Sequence, residues 1–231
     1  MIDDSPILIT GIPRSGSRAV AGVINLCGAF GGDMSLHKDS YENGAIQRFI
    51  EGSYLESIGV DPKGQYPLPS ETDYIPINWK KSIATQLISE RYKEGKWMYK
   101  SARAALLWRV WDYTFPNARW IIVRRRTGDI IDACCKTGYM TAFKSEQNRK
   151  LINVETEEDG WLWMVHEYEK RFADMITEGL NCKIIWPERM INGDYRQLYD
   201  VLDWLGLKWT PQVLSFIDPL LWTNRKKERR G

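Results

Sequence analysis

The first apolar run, Pro6 to Thr10 (PILIT), is short, contiguous and closed by Gly11, the pattern of a buried strand. After a glycine-bearing loop, Ser17 to Leu26 carries helical periodicity, with Ala19, Val20, Val23, Ile24 and then Cys27 on neighbouring positions. Tyr41 to Tyr54 reads as a second helix. Gly59 to Ile77 holds Pro62, Pro67, Pro69 and Pro76 with two glycines and predicts a long irregular connection, a binding loop or a plain surface excursion. Lys96 to Lys100 (KWMYK) reads as a strand, Ala102 to Tyr113 as a helix, and Phe115-Pro116-Asn117 as a turn. Arg119 to Val123 (RWIIV) is a strand, Gly128 to Lys136 a helix with Ile130 and Ile131 inward. Thr156 to Thr177 is a long helix whose Thr156-Glu157-Glu158-Asp159 start has N-capping chemistry. Lys183 to Trp186 (KIIW) is another strand, and Asp194 to Leu205 a helix stopped by Gly206.

Strands alternate with helices over most of the chain. That alternation predicts an α/β fold, a central parallel sheet flanked by helices on both faces. With 231 residues and no repeat, low-complexity tract or linker, residues 1–231 read as a single domain with room for a sizeable core. Eleven tryptophans are many for this length. Most are expected in the core, with some lining pockets.

A net charge of +2 argues against a nucleic-acid binder. The cations are clustered instead, as Arg124-Arg125-Arg126 and Arg225-Lys226-Lys227, which suits a small polyanion. The four cysteines, Cys27, Cys134, Cys135 and Cys182, match no metal spacing and read as reduced thiols. No signal-peptide pattern or membrane-length apolar run is present, so a cytoplasmic protein with no membrane partner is expected. Nothing in the sequence sets an oligomeric state.

The loop Gly11-Ile-Pro-Arg14-Ser15-Gly16-Ser17-Arg18 has the glycine spacing of a phosphate-binding loop. Its glycines allow a tight turn that aims several backbone N–H groups at one anion, and the following helix adds the positive end of its dipole. A nucleoside-triphosphate loop would place Lys and then Ser or Thr after the second glycine, for the phosphates and Mg²⁺. Ser17 and Arg18 stand there, and the cation is moved to Arg14. Arg124 to Arg126, between a strand end and a helix N-terminus, form a second candidate anion site.

Pro13-Arg14-Ser15-Gly16-Ser17 after a strand resembles the 5′-phosphosulfate loop of the PAPS-dependent sulfotransferases, of form Pro-(Lys/Arg)-Ser-Gly-(Thr/Ser). The resemblance implies a P-loop-containing, sulfotransferase-like architecture. It implies a loop of Arg14, Ser15, Gly16, Ser17 and Arg18 that holds the donor PAPS, released as PAP, with no metal. Trp120 to Cys134 is similar to the family's 3′-phosphate motif, in which an Arg is followed eight positions later by a Ser, with an Asp midway. Placing Asp129 on that Asp gives the Arg role to Arg125, with Arg124 as the alternative. The Ser position falls on Ala133, and Cys134 is a nearby thiol that would partly substitute. Arg225-Lys226 resembles the start of the family's last nucleotide contact, although Gly231 lies too far along to match.

Lys100, at a strand end, resembles the family's catalytic Lys. The His that many cytosolic members carry two residues later is absent, since Ala102 stands there. Ser40-Tyr41-Glu42-Asn43-Gly44-Ala45-Ile46 looks like a bacterial or phage-type branch that uses a Glu as general base, which implies Glu42, with His37 in reserve. His166 reads as structural. The expected activity is sulfuryl transfer from PAPS to a hydroxyl or amine of a small-molecule acceptor, shaped by loops 59–77 and 139–158. The alternatives are a P-loop kinase of nucleosides or metabolites, and a non-catalytic nucleotide-binding protein on the same fold.

Overall fold

Strand β1, Ile7–Gly11, is buried along its whole length, because apolar side chains face helices on both sides of it. This computed structural model describes residues 2–34, 40–69 and 74–217. Strands β2 (Met98–Lys100), β3 (Arg119–Val123) and β4 (Cys182–Ile185) join β1 in a four-stranded sheet of order β2-β1-β3-β4. All neighbouring pairs are parallel, with Ile9 opposite Lys100 and Gly11 opposite Val123. The carboxyl ends of β1, β2 and β3 therefore open on one edge. The chain crosses over β1 between β2 and β3, and such a crossing creates a crevice at that edge.

Alternation along the strands divides the core in two. Ile7, Ile9, Ile121, Val123 and Ile185 pack on α1 (Ser17–Leu26) and on the C-terminal helices. Leu8, Tyr99, Trp120 and Ile122 face the larger cluster with Trp97, Trp111, Phe143 and Trp161. Four of the tryptophans, Trp97, Trp111, Trp120 and Trp161, are wholly buried core residues. Covering helices on both faces make this a single α/β domain, the class that the strand–helix alternation implies. Among the described residues, no helix is long and apolar enough to cross a membrane.

Several element boundaries depart from the sequence reading. The stretch expected as one helix from Tyr41 begins instead with a turn, in which Tyr41 has a φ of 55°. The Asn43 side chain then accepts a hydrogen bond from the Ile46 amide at 3.0 Å and starts the helical run. That run is a π-helix over Ile46–Gly52 and an α-helix, α2, over Ser53–Ser57. A helix absent from the sequence reading, α3, spans Trp79–Ser89. The helix expected over Ala102 to Tyr113 is broken at Leu107 into α4 (Arg103–Leu106) and α5 (Trp108–Thr114). Next, α6 runs over Thr127–Lys136. Loop 139–158 contains a short 3-10 turn and α7 (Glu146–Leu151). The long helix α8, Glu157–Thr177, is capped as expected, with the Thr156 side chain accepting from the Asp159 amide. Then α9 (Pro187–Ile191), α10 (Arg196–Leu205) and α11 (Gln212–Phe216) follow, α10 ending at Gly206 in the left-handed conformation with φ of 68°.

Candidate functional site

The loop between β1 and α1 is shaped by two left-handed residues. Gly16, which caps α1, has a φ of 90° and suits it without a side chain; Arg14 has a φ of 72°. A left-handed arginine is sterically costly, by ~1–2 kcal/mol, so the surrounding loop must enforce it. Gly11 admits the close turn. A Cβ there would sit 2.6 Å from the Val123 carbonyl oxygen and 2.5 Å from the Ser15 hydroxyl. Ser15 is fully buried, and among the described residues its hydroxyl and the Nε of Arg14 have no hydrogen-bond partner. These are polar atoms prepared for a group with acceptors. Ser17 is half-buried at the first turn of α1, and Arg18 is exposed.

The arginines after β3 diverge. Arg125 turns toward the loop, and its Nη1 donates to the backbone carbonyl of Arg14 at 3.0 Å. Arg124 turns away, forming an ion pair with Glu169 on α8 and lying 6.0 Å from the Trp186 ring. Arg126 reaches Asp129 at 3.2 Å and Glu188 at 3.7 Å. Arg125 and the loop thus share one place, and Arg124 does not join them. Cys134 lies close enough to feel both the Arg14 and the Arg125 charges. Burial nevertheless pushes its thiol up to about 12, so it is a neutral, weak donor.

At the end of β2, the Lys100 ammonium donates to Glu42 Oε1 at 2.5 Å. The side chains are 9% and 20% exposed, so this pair is largely shielded from water. Burial works to raise the Glu42 carboxyl pKa. The Lys100 charge and hydrogen bond, a further hydrogen bond with Gln47 and the Arg103 charge outweigh burial and hold it below the usual carboxylate value. Glu42 is therefore a carboxylate at neutral pH. It stands in the turn ahead of the helix rather than on it.

Three residues that surround or support the site were missed by the sequence reading. Glu51, fully buried in the π-helix, accepts at Oε2 from the Tyr99 hydroxyl at 2.7 Å and the Ser101 hydroxyl at 2.7 Å. Its Oε1 accepts from Trp111 Nε1 at 3.2 Å. Arg103, whose Nε is 3.5 Å from Glu51, also donates to the Pro62 carbonyl. Tyr139 is 53% exposed as a residue, and its hydroxyl hydrogen-bonds with Arg14, within the electrostatic reach of Glu42. A buried Glu in an amphipathic stretch leaves no sequence signal beyond its apolar neighbours. Tyr139 was included only in the loop expected to border an acceptor.

That loop is tied to the other expected loop by the buried Gln65. Gln65 Nε2 donates to the Tyr139 carbonyl at 2.9 Å, and Gln65 Oε1 accepts from the Thr141 amide at 2.9 Å. His166 is exposed on α8 and not packed in the core. His37 and the Arg225-Lys226-Lys227 cluster lie outside the described residues.

No family model matches the sequence, and no curated protein matches it. Solved structures do. The sulfotransferase STF9 from Mycobacterium avium superimposes with a TM-score of 0.55 at 12% identity, covering 96% of this chain and 68% of that one. The sulfotransferase STF1 from Mycobacterium tuberculosis H37Rv gives a TM-score of 0.51 at 14% identity, covering 94% of this chain and 71% of that one. This chain has a sulfotransferase-like fold.

Proposed function

We propose that the protein is a sulfotransferase that moves a sulfuryl group from PAPS to a hydroxyl or amine of a small acceptor and releases PAP. The fold likeness makes a sulfonate donor of this type the natural candidate, and the residues present fit it. The loop carries buried, unpartnered polar atoms at Arg14 and Ser15. The Arg125 guanidinium lies against the same loop. An adenosine bisphosphate has an anionic group at each end, which matches two such donor clusters.

When bound, the donor supplies an activated sulfuryl group with a phosphate as leaving group. The chain's own residues do the rest. Arg14, Ser15, Ser17 and the loop amides hold the phosphosulfate end, helped by the α1 dipole and Arg18. Arg125 holds the 3′-phosphate end. Lys100 balances the charge that develops at the reacting oxygens. Glu42 accepts the acceptor's proton as the new S–O or S–N bond forms, and the leaving phosphate keeps the electron pair of the bond that breaks.

The observation that carries the chemistry is the Glu42–Lys100 contact of 2.5 Å at the sheet edge shared with the loop. A carboxylate and an ammonium in contact at that edge support the reading of Glu42 as base and Lys100 as cation. The test is transfer of ³⁵S from labelled PAPS to a panel of phenols, alcohols, sugars and amines. Label transferred by the wild type and lost in Glu42→Gln supports the proposal. No transfer to any acceptor, or transfer undiminished in Glu42→Gln, opposes it.

A further inference from the structure

We propose that Glu51 is a positioning residue that clamps both chain neighbours of Lys100 and so fixes the Lys100 ammonium against Glu42. The inference rests on the sulfotransferase reading for what the pair does, and on geometry alone for the clamp.

In a strand, side chains alternate between faces. Lys100 points to Glu42, while Tyr99 and Ser101 point the other way, and both of their hydroxyls end on one oxygen of Glu51 at 2.7 Å. Two carboxylates of one segment, nine positions apart, thus grip the same strand end from opposite faces. The π-turn bears on this. Its wider winding re-aims side chains relative to an α-helix, and such turns recur at functional sites. Gly52, next in the turn, packs against the Gln47 carbonyl, which a Cβ would approach to 3.2 Å.

The clamp is rigid. Tyr99, Ser101 and Trp111 are all buried, and the Tyr99 and Trp111 rings stack with centroids 5.0 Å apart. The Ser101 amide also bonds the Ile9 carbonyl at 3.0 Å, and its hydroxyl accepts from the Arg103 amide at 3.1 Å. A buried carboxylate is costly unless its hydrogen-bonding capacity is met. Here four groups meet it, and two of them flank the proposed catalytic lysine. A hydrophobic residue would fill the space but leave the Tyr99 and Ser101 hydroxyls unheld.

The groups facing Glu42 are Lys100, Arg103, Gln47 and Tyr139; those facing Glu51 are Tyr99, Ser101, Trp111, Arg103 and Tyr168. Arg103 is shared, and burial raises the Glu51 carboxyl pKa against the pull of Arg103, so Glu51→Gln changes the field that Arg103 exerts on Glu42 as well as the clamp. Loosening Lys100 lets Glu42 rise. Ser101→Ala separates these effects, because it loosens the clamp and leaves every charge in place.

The experiment is a carbon-detected NMR titration of Glu42 in the full chain, for wild type, Glu51→Gln and Ser101→Ala, alongside calorimetric titration with PAP. In Ser101→Ala the Glu42 midpoint is expected to rise by roughly one pH unit, a tenfold change in proton affinity. In Glu51→Gln, PAP affinity is expected to stay within about twofold of wild type, the scatter between uncoupled sites. A Glu42 midpoint unchanged or lowered in Ser101→Ala overturns the clamp, whether or not Glu51→Gln folds. Loss of PAP binding in a folded Glu51→Gln also overturns it, since Glu51 would then support the whole core. Failure of the wild type to bind PAP overturns the functional reading instead, while the Glu42 titration still decides the clamp.

Discussion

Arg125 donates a hydrogen bond from Nη1 to the backbone carbonyl of Arg14 across 3.0 Å, joining residues 111 positions apart. The bond ties the turn after β3 to the loop after β1 at the very residue whose φ of 72° is strained. It brings the two arginines that the sequence picked out on separate motifs to one place. A charge-assisted bond of this kind contributes about 1.5–3 kcal/mol.

Removing it has a local consequence. In Arg125→Ala the amide of Ser15, which donates to the Ile12 carbonyl at 2.9 Å, is expected to exchange with solvent about tenfold faster or more, because opening of the loop no longer breaks the Arg125 bond. The strand amides of β1 should be unaffected. Hydrogen exchange measured without ligand checks this. Equal protection of the loop in both proteins would mean that the contact does not hold it.

The Glu42–Lys100 pair gives stability a pH dependence. The folded-state pKa of Glu42 is depressed below its unfolded value, so the folded state binds fewer protons near that value. The resulting stability is present above the ordinary carboxylate range and is lost as pH falls through the folded pKa. Melting temperature should therefore decline on acidification below about pH 5, and less steeply in Glu42→Gln. Lys100→Met removes the ion-pair partner of a largely shielded carboxylate and leaves it the Gln47 hydrogen bond and the Arg103 charge, at a cost on the order of 3 kcal/mol at neutral pH. That loss should shrink toward pH 4, once Glu42 is protonated, which thermal melts across pH would register.

Gly11→Ala should destabilise the fold by roughly 1–3 kcal/mol, since the new methyl meets the Val123 backbone oxygen at 2.6 Å and strands β1 and β3 must part. Gly16→Ala imposes a left-handed alanine, for about 1 kcal/mol or somewhat more. Denaturant unfolding of both variants measures these costs, and Gly11→Ala is expected to be the worse of the two.

The alternation of apolar runs and helical stripes made the sheet and its main helices legible, because β1, β2 and β3 are buried along nearly their whole length and read as continuous runs, while β4 at the sheet edge is apolar but leaves Ile184 exposed. The glycine-bearing loop after β1 was legible as well. Glycine spacing and a displaced cation are local features. The rest depended on tertiary contacts. Helix α3 buries only Trp79, Ile83 and Leu87, a narrow stripe following a proline-rich stretch, so its periodicity is faint. The π-turn has no local signature, and it is what brings Glu51 under β2. The choice between Arg124 and Arg125 could not be read from Arg-Arg-Arg. Their partners, Glu169 on α8 and the Arg14 carbonyl, are set by which way the chain leaves β3.

Calorimetric titration with PAP, for wild type and for Arg14→Ala, puts the central claim to its shortest test. If both anion sites serve one adenosine bisphosphate, PAP binds the wild type at one site and raises its melting temperature, Arg14→Ala loses the effect, and ATP with Mg²⁺ does not replace PAP. Absence of any PAP heat or stabilisation in the wild type, or stabilisation by ATP with Mg²⁺ in its place, would contradict it.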